Sequence, residues 1–431
     1  MSYIQNDETF LAAALRVLRT FPLCNRCLGR LFAQYGVNLS NELRGKAIKT
    51  YIAMLLAEKI SRGENTVELI MELGPNAGYP MSELYKRYVS SDLMIKKCYI
   101  CNNKLSTLIG ELAIRSVEAL MKVKASTFLI GVKKDSTMEQ REKEVATILG
   151  TDSWESIKRE VKREVGKKIR AVLGIEPEFR NPDVIVVLDL DKVEATLTLM
   201  PLYLKGKYLK FGRYISQMVW IRKDGSKKYK LSLEEVCRKL LDIVNGVNVR
   251  IHASGREDVD VRMLGNGRPL IIEVSNPKNR DVDLSRVHEA LTGNPWIHVV
   301  VDKKVSPTAV TWLKQSNPRK VYRVVTYSDG KISNIELNNL RKFFTNRTIK
   351  QLTPRRVLGR KKERLRIRKV YEVNAKLLHS NIIEFIVECD GGLYVKELVH
   401  GDGGRTSPSF AEFLQKNLTV LLLDVLKVGD G

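Results

Sequence analysis

Two Cys-x-x-Cys pairs, Cys24-Asn25-Arg26-Cys27 and Cys98-Tyr99-Ile100-Cys101, limit how this chain can fold more than any other feature. Each pair sets two thiols on one tight turn, which is half of a tetrahedral four-cysteine zinc site with no position left for water. One metal shared by both pairs closes the 70 intervening residues, 28–97, on themselves. Such a zinc staples a small N-terminal subdomain and takes no part in catalysis. The alternative is two unrelated pairs of reduced cysteines. Cys237 and Cys389 stand alone in apolar contexts and read as small buried hydrophobes. The first eight residues, Met1 to Glu8, lack a basic stretch followed by an apolar one, and no segment reaches the roughly 18 uncharged apolar residues of a membrane span. A cytoplasmic chain without a membrane partner is expected, where paired cysteines point to metal and not to disulfides.

A chain of 431 residues exceeds what one core holds, so more than one domain is expected. Residues 8–60 and 105–121 place apolar side chains at helical spacing. A short apolar strand at 127–132 is followed by amphipathic helices at 139–149 and 156–173, the second with a dense Lys/Arg face. Asn181-Pro182-Asp183 breaks the pattern, and strands follow at 184–190 and 195–199 around Asp191-Lys192. This is an α/β module. Residues 222–230, with Asp224-Gly225-Ser226 inside, are polar and turn-prone, and the domain boundary is placed there. Ser232 and Glu235 have the spacing of a capping box at the start of the next helix. Beyond it the apolar segments are short and β-rich, which fits an α+β domain built on a sheet.

Lys and Arg number 73 against 49 Asp and Glu, a formal charge of +24. A polyanion bound along such a surface releases counterions, whereas a small neutral substrate gains nothing from it, so nucleic acid is the expected partner. The charge concentrates in 347–369, with eleven Lys/Arg against the single acid Glu363. Within it Arg364, Arg366 and Arg368 alternate with Leu365 and Ile367, a period of two that predicts a strand with one basic face suited to a phosphate backbone.

Two further stretches concentrate chemistry. Ser254-Gly255-Arg256-Glu257-Asp258-Val259-Asp260-Val261-Arg262 alternates charges between apolar strands, and an edge-strand ladder of ion pairs would look the same. Residues 391–406 are Gly-rich but lack the Gly-Lys-Ser/Thr of a phosphate-binding loop. Together they resemble a known family. Gly255-Arg256-x-Asp258 is similar to the catalytic motif of pseudouridine synthases, and Gly392-Leu393-Tyr394-Val395-Lys396 to their later motif that ends in a basic residue. The longer strings 255–265 and 401–409 resemble the archaeal-type tRNA pseudouridine synthases that act on positions 54 and 55 of the TΨC arm. The likeness spans nearly the whole chain: Leu23 to Phe32 resembles the family's zinc-binding start, and 182–190 with 201–208 resembles the end of its THUMP-type RNA-binding domain. Leu393 departs from the family's usual Thr, and Ala253-Ser254 from its Gly-Ala.

The resemblance implies an N-terminal zinc-binding and THUMP-like part, then an α+β catalytic domain with a mainly antiparallel sheet. The divisions are 1–125, 126–225 and 226–431. It implies tRNA as partner through the TΨC arm, no obligate protein partner, structural zinc on Cys24, Cys27, Cys98 and Cys101, and no catalytic cofactor. Asp258 becomes the essential carboxylate, as nucleophile at C1′ or as base on the sugar. Lys396 becomes its cation, Tyr322 the aromatic that stacks on the target uracil, and Leu423 the floor of the base pocket, unless it is ordinary strand core. Arg256, Arg364, Arg366 and Arg368 are assigned to substrate binding. Asp260 lies two residues from Asp258, so strand alternation cannot choose between them, and Asp258 follows from the motif's register. The other readings are a THUMP-bearing methyltransferase or thiouridine synthase, each of which needs a cofactor or nucleotide loop that the chain does not display, and a THUMP-bearing tRNA-binding protein without activity, against which only Asp258, Tyr322 and Lys396 argue.

Overall fold

The computed structural model describes residues 5–133, 136–149, 154–359 and 361–429, so the first four residues and Arg360 of the basic run lie outside the described residues. The chain divides into two compact units, one ending at Thr198 and the other beginning at Leu199. Among the described residues no helix is long and apolar enough to cross a membrane.

The first unit opens with helices Gln5–Thr20, Asn25–Leu31, Asn41–Ser61, Val67–Ala77, Met81–Tyr88 and Leu105–Leu120. Leu18, Leu28, Ile52, Ile70 and Leu112 are buried between them. Two glycines let helices Asn25–Leu31 and Asn41–Ser61 pack backbone to backbone: a Cβ on Gly29 would lie 1.9 Å from the Asn41 carbonyl oxygen, and one on Gly45 1.8 Å from that of Asn25. No side chain fits there.

A four-stranded sheet follows, built from β1 (Thr127–Val132), β2 (Glu176–Pro177), β3 (Val184–Asp189) and β4 (Glu194–Leu199) in the order β2-β1-β3-β4, with β1 parallel to both neighbours. Helices Thr137–Leu149 and Ile157–Leu173 accompany it. The second buries Val161, Val165 and Ile169, four apart on one stripe, and turns its Lys/Arg face outward. Ser156 caps its start through the Arg159 N–H, and Gly174 ends it at φ 66°.

The second unit is organised on a ten-stranded sheet of β5 (Leu202–Lys210), β6 (Asn248–Ala253), β7 (Arg262–Ser275), β8 (Ile297–Val305), β9 (Lys320–Ser328), β10 (Arg347–Leu352), β11 (Leu365–His379), β12 (Ile382–Cys389), β13 (Thr406–Ser407) and β14 (Leu418–Val428). Its path is β13-β10-β11-β12-β9-β14-β7-β5-β8, with β6 also on β7. The described pairings are antiparallel except β14 with β7, where Asp424 lies beside Arg262. Alternation explains the core: Ile383, Phe385, Val387 and Cys389 of β12 are fully buried, while the residues between them are half-exposed.

The boundary between the units differs from the one expected near residue 225. Leu202–Lys210 is a central strand of the second sheet, paired with β7 through Leu204↔Ile272 and with β8 through Tyr208↔Val299. The polar stretch 222–230 is a small hairpin inside the second unit, in which the Arg222 N–H donates to the Ser226 carbonyl at 2.8 Å. A turn-prone sequence marks a reversal of the chain, and nothing local tells a hairpin tip from a linker.

Candidate active site

The motif 254–261 is the connection from β6 to β7, and it is a loop, not the edge strand its alternating charges suggest. Gly255 sits at φ +76°, a left-handed conformation that a side chain would strain. Glu257 turns inward and is almost fully buried, where it accepts from the Tyr208 hydroxyl at 2.9 Å and the Arg268 Nε at 3.0 Å and lies 3.4 Å from the Lys210 Nζ. Burial disfavours its charge, but Arg268 and Lys210 outweigh that and hold its carboxyl below the usual range. Lys210 also donates to the carbonyls of Ile215 and Asp258, at 3.2 and 3.1 Å. The loop is thereby pinned from beneath, and Asp258 faces outward.

Asp258 Oδ2 lies 2.8 Å from Arg356 Nη1 and 3.5 Å from Lys396 Nζ. Lys396 is closer to Asp260, at 2.7 Å. The cation expected for Asp258 is thus shared with its neighbour, and the nearer partner is Arg356, which the sequence offered only as one member of a basic run. Arg356 stands on the short 3₁₀ turn Arg355–Val357 between β10 and β11. Its Nε donates at 2.7 Å to Glu397, whose side chain is buried, so the guanidinium bridges two carboxylates. Burial raises the cost of charge on Asp260, yet the hydrogen bond and charge of Lys396 prevail and keep its carboxyl below the usual range.

The opposite end of the loop is held by Asp424, which is fully buried on β14. Arg262 grips it with Nε at 2.8 Å and Nη2 at 2.7 Å, and Arg213 with Nη2 at 2.7 Å. Arg213 Nη1 reaches on to the carbonyls of Asp260 and Leu423, at 2.5 and 2.9 Å. Asp424 was visible in the sequence only as the residue after Leu423.

Above this loop is a cavity of about 620 Å³. Asp258, Tyr322, Lys396, Leu423 and Arg256 all line it, so the structure brings together the residues assigned to the motif. Glu257 and Asp258 are its carboxylates among the described residues, and Asp260 does not line it. Tyr322 is on β9, and burial pushes its phenol well above the ordinary value, so the ring stays neutral. Leu423 on β14 is 7% exposed, and Arg256 is exposed at the rim.

The basic strand divides as its period predicts, with one difference. Arg366 lines the cavity and Arg368 is half-buried beside Gly392, whereas Leu365 and Ile367 are the exposed residues, at 58% and 55%. Arg364 lies exposed just before the strand. Here β11 has passed the end of β12 and pairs with β10 alone, and its basic face turns toward the cavity while its apolar face is exposed.

In the first unit the sulfurs of Cys24, Cys27, Cys98 and Cys101 lie within 4.8 Å of one another, with Cys24 and Cys101 at 3.7 Å. Ligands at about 2.3 Å from a tetrahedral zinc stand about 3.8 Å apart, so the four suit such an ion. Cys24 caps helix Asn25–Leu31, and its Sγ accepts from the Cys27 N–H. Asn102 and Asn103 take left-handed conformations after Cys98-x-x-Cys101, and the Cys98 N–H donates to Asn103 Oδ1. The buried Arg30 donates to Cys27 Sγ at 3.5 Å, an outer contact that favours a thiolate.

Two family models match this chain: "Pus10, C-terminal" over residues 203–429 and "Pus10 THUMP domain, archaeal" over residues 112–189. A tRNA pseudouridine synthase Pus10 from Thermosphaera aggregans is 40% identical over 96% of this chain and 95% of the relative. One from Ignisphaera aggregans is 37% identical over 97% and 98%, and one from Methanocaldococcus jannaschii 37% identical over 96% and 94%. Likeness to solved structures is slighter: a Cbf5-Nop10-Gar1 complex matches 52% of this chain and 49% of its own, at 18% identity and a TM-score of 0.29.

Proposed function

The chain belongs to the Pus10 family of tRNA pseudouridine synthases and isomerises uridine to pseudouridine in tRNA, and from that premise we propose that Asp258 carries the reaction, at position 54, position 55 or both in the TΨC arm. The observation that supports Asp258 is its placement. Of the three acids of the motif it alone both lines the cavity and keeps an open face, since Glu257 is engaged by three donors beneath the loop and Asp260 is turned to Lys396.

The reaction breaks the bond from ribose C1′ to uracil N1, turns the base, and joins C5 to C1′. C5 loses a proton and N1 gains one. Nothing is oxidised or reduced, so side chains alone suffice. Asp258 serves as nucleophile at C1′ or as base on the sugar, and both roles need an ionised carboxylate. Arg356 at 2.8 Å and Lys396 at 3.5 Å set two positive charges beside it. Tyr322 offers a π-face to a uracil taken out of its stack, Leu423 supplies an apolar floor, and Arg256 with Arg364, Arg366 and Arg368 meets the incoming phosphates.

The four cysteines hold structural zinc in this reading, and the ion closes the turns of the N-terminal helices. One zinc per chain is the expected result of metal analysis, and Cys98→Ser is expected to lower the thermal stability of the first unit while the chemical step, measured on saturating tRNA, changes little. A zinc-free wild-type protein rejects the assignment.

Incubating the pure protein with an unmodified tRNA transcript and no added cofactor, then mapping pseudouridine, tests the whole proposal. Product at 54 or 55 supports it. Product elsewhere in the tRNA rejects the TΨC assignment. A requirement for a methyl donor or ATP would return the methyltransferase or thiouridine synthase readings.

A further inference from the structure

Lys320 opens β9 two residues before Tyr322, on the same face of the strand, and it too lines the cavity above Asp258. It is 9% exposed. The neighbouring cations are engaged: buried Arg268 with Glu257 and the Ser254 carbonyl, buried Lys210 with Glu257 and backbone carbonyls, and half-buried Lys396 with Asp260. The Lys320 backbone pairs with β12 and β14, but its ammonium makes no hydrogen bond or ion pair with any described residue. Its Nζ and Arg268 Nη1 both come within 3.6 Å of where a Cβ would stand on Gly255, so the ammonium lies directly under the motif loop. Glu257, the nearest buried acid, already has three donors. A buried ammonium without a partner costs stability, and such groups persist where a ligand completes them.

We propose that Lys320 is a catalytic residue, whose ammonium donates to a ring carbonyl of the flipped uracil and stabilises the charge the base takes up when the C1′–N1 bond breaks. The inference rests on the reading of Asp258 as the reacting carboxylate. In that step the bonding pair passes to N1 and spreads onto O2 and O4, while Asp258 bonds to C1′ or removes the C2′ proton. Lys320 keeps its protons throughout. When C5 closes on C1′ the ring charge is consumed and the Asp258–C1′ bond breaks to free the carboxylate, or Asp258 returns its proton to C2′; C5 then releases its hydrogen as a proton, and N1 gains one. A donor fixed in a dry site at a developing oxyanion is the arrangement that lowers such a barrier most.

Burial, with Arg268 adding to it, draws the Lys320 pKa down to about 8. The charged and titratable groups facing it are Arg268 from β7, Glu257 and Asp258 from the motif loop, Cys389 beside it on β12, and Tyr322 on its own strand. Burial keeps Cys389 and Tyr322 neutral. The catalytic form of Lys320 is the charged one, so it prevails at neutral pH and fades as pH rises through about 8.

The test uses the full-length protein and a tRNA transcript under single-turnover conditions. Lys320→Met is expected to slow pseudouridine formation roughly 100-fold, to leave tRNA affinity within about threefold, and to keep or raise the melting temperature, because it deletes a charge that nothing pairs. Lys320→Arg, which keeps the charge, should recover part of the rate. Wild-type activity should decline above pH 8, and that decline should vanish in Lys320→Met. With 5-fluorouridine at the target position the base departs more easily as an anion, so the Lys320→Met defect, read as loss of the target nucleoside, should shrink. A Lys320→Met protein with the wild-type rate overturns the proposal. So does one whose lost rate comes with equally lost affinity or a lower melting temperature, or whose defect is the same on both nucleosides. An inactive Asp258→Asn beside a fully active Lys320→Met rejects Lys320 alone, whereas an active Asp258→Asn rejects the reading of the site beneath it.

Discussion

Asp258→Asn is expected to abolish pseudouridine formation, by a factor of at least about 1,000, with tRNA affinity unchanged within a few fold. The amide cannot attack C1′ or take a sugar proton, yet it fills the same space at the mouth of the loop. Affinity is carried by many phosphate contacts, of which this residue makes none. Stability should hardly move, because the Asp258 side chain is 41% exposed and its ion pairs with Arg356 and Lys396 are screened. Asp260→Asn provides the contrast. It weakens the hold on Lys396, whose ammonium then remains available to Asp258, and measurable activity should survive. Rate constants from single-turnover mapping decide between them, and an exchange of phenotypes would transfer the reaction to Asp260.

The second large effect is one of stability. Asp424→Ala should destabilise the second unit by about 3 kcal/mol in denaturant or thermal unfolding, the lower end of what removing one member of a buried ion pair costs, because the arginines it leaves are partly exposed. Most activity should go with it, since Arg213 ties the same carboxylate to the Asp260 and Leu423 carbonyls and so sets where Asp258 stands. Burial opposes the charge on Asp424, but Arg262 and Arg213 hold its pKa below the usual carboxylate value. Its contribution is therefore complete above that usual value and is lost as pH falls through the lowered one. The gap between wild type and mutant should stay constant through neutral pH and close only in acid. Asp424→Asn, which keeps the shape and loses the charge, should fall between the two. A mutant as stable as the wild type would remove the clamp from the account of the site.

What could be read along the chain was whatever depends on near neighbours. The spacing of apolar residues placed the strand at Thr127–Val132 and the helix at Ile157–Leu173, because burial on one face writes a period of two or 3.6 into the sequence. The two Cys-x-x-Cys turns read as halves of one four-cysteine cluster, whose sulfurs lie within 4.8 Å of one another, and the long motif strings carried the family. The period of two also foresaw the basic face of β11. It could not foresee that Leu365 and Ile367 would be the exposed side, since alternation separates two faces without saying which one is covered. Residues 201–208 fell before the expected boundary through their resemblance to the end of a THUMP domain, and only pairings such as Leu204↔Ile272 and Tyr208↔Val299 make strand Leu202–Lys210 part of the second sheet. The same holds for the charges. Asp258 with Arg356, Lys396 shared with Asp260, and Asp424 with Arg213 and Arg262 each join residues that meet only after the β10–β11 connection, the helix Val395–His400 and β14 have been brought beside the motif loop. A side chain's type sets what it can bind and its neighbours in sequence set which way it points, but Coulomb attraction and desolvation act at a few ångströms, and the partners at that distance exist only in the folded chain.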